Sequence, residues 1–163
     1  MTRYFDASAL VKRYVREAGT VAVRRLLTSG TVATSRLSEV EVASGIVRRA
    51  REGAFTAARR DRMLDALQRD LPAIAIVEVI PEVAADARAL LLRHPLRASD
   101  AIQLASCQFL QRQLAEPVPF VAFDRRLAAA AHAEGLTAPP APAGLRQRVT
   151  TSRRTPRKSS APA

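Results

Sequence analysis

The chain has 163 residues, enough for one domain with a real core. At 48% hydrophobic it belongs with globular chains, and with aromatics at only 4% and no Trp the core must be built from Leu, Val, Ile and Ala. A formal charge of +11, nearly all arginine because Lys12 and Lys158 are the only lysines, points to a polyanionic partner. Cys107 is the single cysteine, which excludes an internal disulfide and a cysteine-rich metal site. With no signal-like apolar core at the N-terminus and no apolar run near the roughly 18 residues that span a bilayer, the expectation is a cytoplasmic protein with no membrane role.

In chain order, "RYF" (3–5) predicts a short strand and "SALVKRYVREAG" a helix closed by Gly19. "TVAVRRLLTSG" predicts a helix ending at Gly30, and "TVATS" (31–35) a β-branched strand. Helices follow from Arg36 to Gly53 and from Phe55 to Leu71, where Pro72 stops the second. "AIAIVEVI" (73–80) is the strongest strand signal in the chain, and Pro81 opens a helix through "EVAADARALLLRH". "SDAIQLASCQFLQRQL" (99–114) predicts a helix, "VPFVAF" (118–123) a strand, and "RRLAAAAHAEG" a last helix ending at Gly135. Strands alternating with helices predict an α/β fold of three layers, a mostly parallel sheet covered on both faces. The domain is expected to span 1–136. From Thr137 the chain has many prolines, no acidic residue and six positive charges, so 137–163 is read as a disordered basic tail.

Three aspartates stand where strands end or helices begin: Asp6 after the first strand, Asp124 after "VPFVAF", and Asp100 opening "DAIQL". Each is a natural helix cap, and "DAIQ" has capping-box spacing. In an open parallel sheet, however, the strands' carboxyl ends share one edge, where ligand sites form. Carboxylates gathered there repel unless a cation sits among them, and hard divalent ions take oxygen ligands. At least one of them is therefore expected to have a raised pKa without metal. His94 and His132 are isolated and read as surface residues, which leaves no zinc set. Oxygen ligands beside phosphate-seeking arginines suggest Mg²⁺ or Mn²⁺ and phosphoryl chemistry. A fourth acid is expected from "RLSEVEVASGIVRR", where Glu41, Ser44 and Arg48 form one polar stripe while Glu39 shares its side with Val42, Ala43 and Ile46. The stripe favours Glu41, against the alternative of a surface glutamate.

The blocks "YFDASALVKRYVREAG", "VATSRLSEVEV", "LRASDAIQLAS" and "FVAFDRRLAAAAHAEGL" resemble the successive motifs of PIN-domain ribonucleases, nearest the VapC-type toxins of toxin–antitoxin pairs. The resemblance spans about residues 3–136. It implies a metal-dependent endoribonuclease that inhibits translation and growth, with Asp6, Glu41, Asp100 and Asp124 as the catalytic set. Asp6 and Asp100 would be the nearest ligands of Mg²⁺ or Mn²⁺. Ser8 stands at the family's small hydroxyl position, where it either fixes a ligand carboxylate or bonds to backbone. The implied partners are an RNA substrate, a second copy in a homodimer, and a VapB-type antitoxin that places a basic side chain among the acids. The runs "RRAR" (48–51) and "RRDR" (59–62) are either an RNA path or solvated helix faces.

Two other classes compete. A nucleic-acid-binding module without catalysis would not need all four acids. A haloacid-dehalogenase-type or receiver-type phosphoryl-transfer enzyme also uses an Asp after the first strand. The dehalogenase pattern requires a second Asp two residues later, where this chain has Ser8.

Overall fold

Neighbouring residues of the strands face opposite ways, and this alternation divides the core in two. Tyr4, Ala33, Val77 and Phe120 belong to one apolar cluster, whereas Phe5, Val32 and Val121 belong to the other. The computed structural model describes residues 1–139. Its elements are β1 (Thr2–Phe5), α1 (Ala7–Leu10), α2 (Thr20–Leu27), β2 (Thr31–Ser35), α3 (Leu37–Arg51), α4 (Ala57–Asp70), β3 (Ala75–Val77), α5 (Pro81–Arg93), α6 (Ala98–Leu114), β4 (Phe120–Val121) and α7 (Arg125–Ala133). The four strands pair in parallel in the order β3-β2-β1-β4. Leu90, Leu104 and Leu127, from α5, α6 and α7, fill the first cluster; Leu10, Val23, Ile46 and Leu67, from α1 to α4, fill the second. The result is the expected α/β/α sandwich.

Strand order reverses at β1: the chain builds outward through β2 and β3 and then returns to place β4 on the other side. The crevice beyond the carboxyl ends of β1 and β4 is thus the switch point at which doubly wound sheets bind ligands. The Asp6 N–H donates to Val121 O at 3.1 Å, continuing the β1–β4 pairing to that edge. Below it the rings of Tyr4 and Phe120 stack at 5.6 Å between centroids, holding the two strands in register.

Several elements are shorter than the sequence predicts. The stretch 73–80 yields only the three residues of β3, an edge strand whose one partner, β2, ends at the Ser35↔Val77 pair and turns into α3. Glu78, Val79 and Ile80 have no strand left to pair with and are exposed. β4 is likewise limited to the two residues that oppose β1. The first predicted helix also breaks early. α1 passes into a tight 3₁₀ turn at Val11–Arg13, after which Tyr14 and Val15 are buried and the Tyr14 hydroxyl donates to Asp70 at 2.9 Å.

Gly19 does not close that helix. It starts α2 with a left-handed φ of +88°, and a Cβ there would collide with the Phe123 ring. Gly19→Ala is expected to destabilise the fold by about 1–2 kcal/mol, read as a lowered melting temperature. An unchanged melt would show that the ring and backbone relax freely. At the other end, the Phe120 N–H donates to Thr137 O at 2.8 Å, so the chain is still tied to the sheet at this residue. Most of the expected tail, from residue 140, lies outside the described residues. No helix among the described residues is long and apolar enough to cross a membrane.

Candidate active site

Asp6, Glu41, Asp100 and Asp124 all line one cleft of about 490 Å³ at the switch point. They come from four separate places: the end of β1, the middle of α3, the first turn of α6 and the start of α7. A larger cavity of about 670 Å³ adjoins it, sharing Glu17 and Phe123, but its walls are mainly apolar residues of α2, β4 and α7. Chemistry rather than size singles out the acidic cleft.

Each acid is held by the protein through a particular oxygen. Asp6 caps α1, its Oδ1 accepting the Ala9 N–H at 2.9 Å. The Ser8 hydroxyl lies 2.9 and 2.8 Å from the two carboxylate oxygens of Asp6 and accepts the Phe123 N–H at 3.1 Å. Ser8 therefore does bond a carboxylate, and it fastens the segment after β4 to the end of β1. Asp124 caps α7 through Oδ1, which receives the N–H groups of Arg126 and Leu127 at 2.8 and 3.1 Å. Asp100 is not the residue that opens its helix. α6 begins at Ala98, and Asp100 Oδ2 reaches back to accept the Arg97 N–H at 3.1 Å. Glu41 Oε2 accepts from Gln103 Nε2 at 2.7 Å.

Capping and site-building are thus not rival readings of these aspartates. A cap uses one oxygen and fixes the rotamer. Among the described residues, Asp124 Oδ2, Asp100 Oδ1 and Glu41 Oε1 receive no protein hydrogen bond. Three of the four groups thus keep one oxygen without a hydrogen bond among the described residues while the other oxygen fixes the side chain.

Asp6 is the buried member, 4% exposed. Burial pushes its carboxyl from 3.8 up to about 6, against the pull of the Ala9 N–H and the Ser8 hydroxyl, and Glu41 adds the smallest push. A raised acid is what the sequence leads one to expect, but desolvation rather than crowding is the main cause. Asp124 moves the other way, lowered chiefly by the Leu127 N–H.

Gln103 is the residue that sequence reasoning missed. Buried at the wall of the cleft, it accepts from the Tyr4 hydroxyl at 2.8 Å and donates to Ser38 Oγ at 2.9 Å as well as to Glu41. The Ser38 and Thr34 hydroxyls are 2.6 Å apart, and Thr34 donates to Phe5 O at 2.6 Å. A continuous polar string thus links β1, β2, α3 and α6 beneath Glu41. The signal was present in "DAIQ", since Asp100 and Gln103 are three apart on one helix face, but capping-box spacing accounts for the same residues. Glu39 lies elsewhere, with Arg36 and Gln68.

Arg48 and Arg49 stand at the cleft, whereas Arg59 and Arg62 line a separate depression with Arg13 and Tyr14. Neither histidine lines the acidic cleft. His132 is exposed, but His94 is half-buried, its Nε2 2.6 Å from Glu134 Oε1, and so is not an isolated surface group.

No three Asp, Glu, His or Cys side chains among the described residues stand as a ready-made metal cage. Mg²⁺ needs no such cage, because it keeps several of its waters and takes only one or two carboxylates directly, and three of these four acids keep an oxygen without a protein hydrogen bond at an open cleft.

Comparison with known proteins agrees with this geometry. The PIN domain family matches residues 3–133. Ribonuclease VapC45 of Mycobacterium tuberculosis (strain CDC 1551 / Oshkosh) is 35% identical over 144 residues, covering 85% of this chain and 94% of that protein. Ribonuclease VapC49 of the H37Rv strain matches to the same extent. Two solved structures share the fold. One is a toxin–antitoxin complex from Klebsiella pneumoniae, with TM-score 0.58 and 18% identity over 77% of this chain and 90% of that one. The other is VapC20 of Mycobacterium tuberculosis, described as a sarcin–ricin loop cleaving toxin, with TM-score 0.59 and 20% identity over 80% of this chain and 95% of that one.

Proposed function

The chain belongs to the PIN-domain family, and from that premise we propose that its acidic cleft hydrolyses phosphodiester bonds in RNA, as the toxin of a toxin–antitoxin pair. The observation that carries the reading is the convergence of four carboxylates from four elements on one switch-point cleft. Asp6 and Asp100 would hold Mg²⁺ or Mn²⁺, and Asp124 and Glu41 would complete its surroundings directly or through water. When bound, the ion supplies positive charge beside the phosphodiester and acidifies water for the attack.

The chain's own residues supply positioning. Ser8 and the Ala9 N–H fix the Asp6 carboxylate, the α7 backbone fixes Asp124, the Arg97 N–H fixes Asp100, and Gln103 fixes Glu41. Such fixation keeps the ligand oxygens aimed without reorganisation when substrate arrives. Arg48 and Arg49 lie at the cleft, where RNA phosphates would pass. Growth arrest on expression, relieved by a neighbouring VapB-type antitoxin, is the cellular counterpart of this activity. A cytoplasmic homodimer is the corresponding assembly.

The test is RNA cleavage by purified protein. Cleavage is expected with Mg²⁺ or Mn²⁺ and not in excess chelator, returning when the ion is restored. Full activity in chelator would overturn the metal assignment. No cleavage with either ion, across structured and single-stranded RNAs, would leave a binding module instead.

A further inference from the structure

We propose that Lys12 is a phosphate-binding residue of the cleft, its ammonium contacting a non-bridging oxygen of the RNA phosphodiester. The proposal rests on the reading of the cleft as a ribonuclease site. Lys12 is the only lysine in the described residues, and it is the only Lys or Arg among their buried residues, 7% exposed. It lines the acidic cleft together with Asp6, Glu41, Asp100 and Asp124.

Its surroundings use only part of what an ammonium offers. Lys12 Nζ donates to Glu17 Oε1 at 2.7 Å and lies 4.4 Å from the centre of the Phe123 ring. The ring face attracts the charge but accepts no ordinary hydrogen bond. Of the three ammonium donors, one therefore has a protein acceptor among the described residues.

Stability alone does not account for this burial. Burying the Lys12 ammonium against a carboxylate that itself stays 35% exposed costs desolvation that their attraction often fails to repay, and an apolar side chain would fill the space as well. A phosphodiester, by contrast, brings negative charge into a cleft that already carries four carboxylates. A compact cation with spare donors on the wall offsets that repulsion. Arg48 and Arg49 are less suited, because their side chains are 74% and 44% exposed and both pair with Glu52.

Lys12 is also connected to the acids. Phe123, on which it lies, immediately precedes Asp124, and its N–H donates to Ser8, which bonds Asp6. The cation and the ligand set thus share one scaffold.

The experiment measures binding of a labelled RNA in chelator over a series of salt concentrations, with cleavage in Mg²⁺ and thermal melts on the same samples. Lys12→Met is expected to lower cleavage by about 10-fold to 100-fold and to reduce the slope of log K against log salt by about one contact. Glu17→Gln leaves the ammonium in place and removes a competing charge, so it is expected to bind RNA at least as tightly as wild type. A purely structural ion pair predicts equal losses of melting temperature in both variants with an unchanged slope, and that result overturns the proposal. Weaker RNA binding by Glu17→Gln overturns it too, and this arm stands even if Lys12→Met does not fold. Failure of wild type to cleave any RNA with metal would instead defeat the reading of the cleft. Cleavage by wild type, none by Asp6→Asn and wild-type values in Lys12→Met would defeat the role of Lys12 alone.

Discussion

Glu41→Gln is expected to lower RNA cleavage about 100-fold or more, while Glu39→Gln stays within a few-fold of wild type. The two residues are two positions apart in sequence, which puts them on opposite sides of α3. Glu41 lines the cleft and is clamped by Gln103, whereas Glu39 pairs with Arg36 at 3.2 Å on the outside. The amide at position 41 keeps the size of the side chain but loses its charge. It also turns the contact with Gln103 into one between two amides, so the free oxygen need no longer point into the cleft. Turnover at saturating metal and a melt of each variant separate the effects. Loss of cleavage with an intact melt places the fault in the site. Equal activity of the two variants would mean that the carboxylate of α3 is not used.

What could be read from the sequence was whatever repeats locally. The β-branched run at 31–35 and the Pro81 start of α5 are local signals, and the structure keeps both. The acids at strand ends were legible because a parallel sheet puts all those ends on one edge. Glu41 was legible as a helical stripe with Ser44 and Arg48. Strand length was not, since it depends on a partner. "AIAIVEVI" is an excellent strand by composition, yet the 3₁₀ turn at Leu71–Ala73 takes its start and the end of β2 at Ser35 stops its pairing at Val77, which leaves three residues.

The same holds for Gln103 and Lys12. Gln103 matters because Tyr4, Ser38 and Glu41 meet it from three other elements, and nothing in its own neighbourhood records that. Lys12 follows the break of α1 into the 3₁₀ turn, which ends the periodicity that would have placed it. The origin of the raised acid was also beyond the sequence, which shows how many carboxylates meet but not how deeply each is buried.

Asp6→Asn should abolish cleavage and at the same time make the metal-free protein more stable, by an amount that grows with pH. Asp6 has a folded pKa of about 6 against 3.8 for the unsheltered group, so between those values the folded state holds a proton that the unfolded state has released. Stability therefore falls as pH rises through this window. The loss is complete above the folded pKa, at roughly 3 kcal/mol for a shift of this size. Asn carries no charge to desolvate, and its carbonyl can still accept the Ala9 N–H, so the variant escapes the loss. Carboxyls lowered by the fold, such as Asp70 beside Arg13 and Asp124 at its cap, act in the opposite sense at lower pH. They are common to both proteins and cancel in the difference. Divalent metal should reverse the ranking in part, since binding to the folded state stabilises wild type more than a variant lacking one ligand. The measurement is denaturant unfolding of both proteins in chelator at about pH 4, 5, 6 and 7, repeated at neutral pH with Mg²⁺. The gap between variant and wild type should open from near zero to about 3 kcal/mol and narrow again with the ion. A gap that stays flat with pH would mean that water or a relaxed loop already shelters the Asp6 charge, and that the cleft in chelator stores no strain for the metal to relieve.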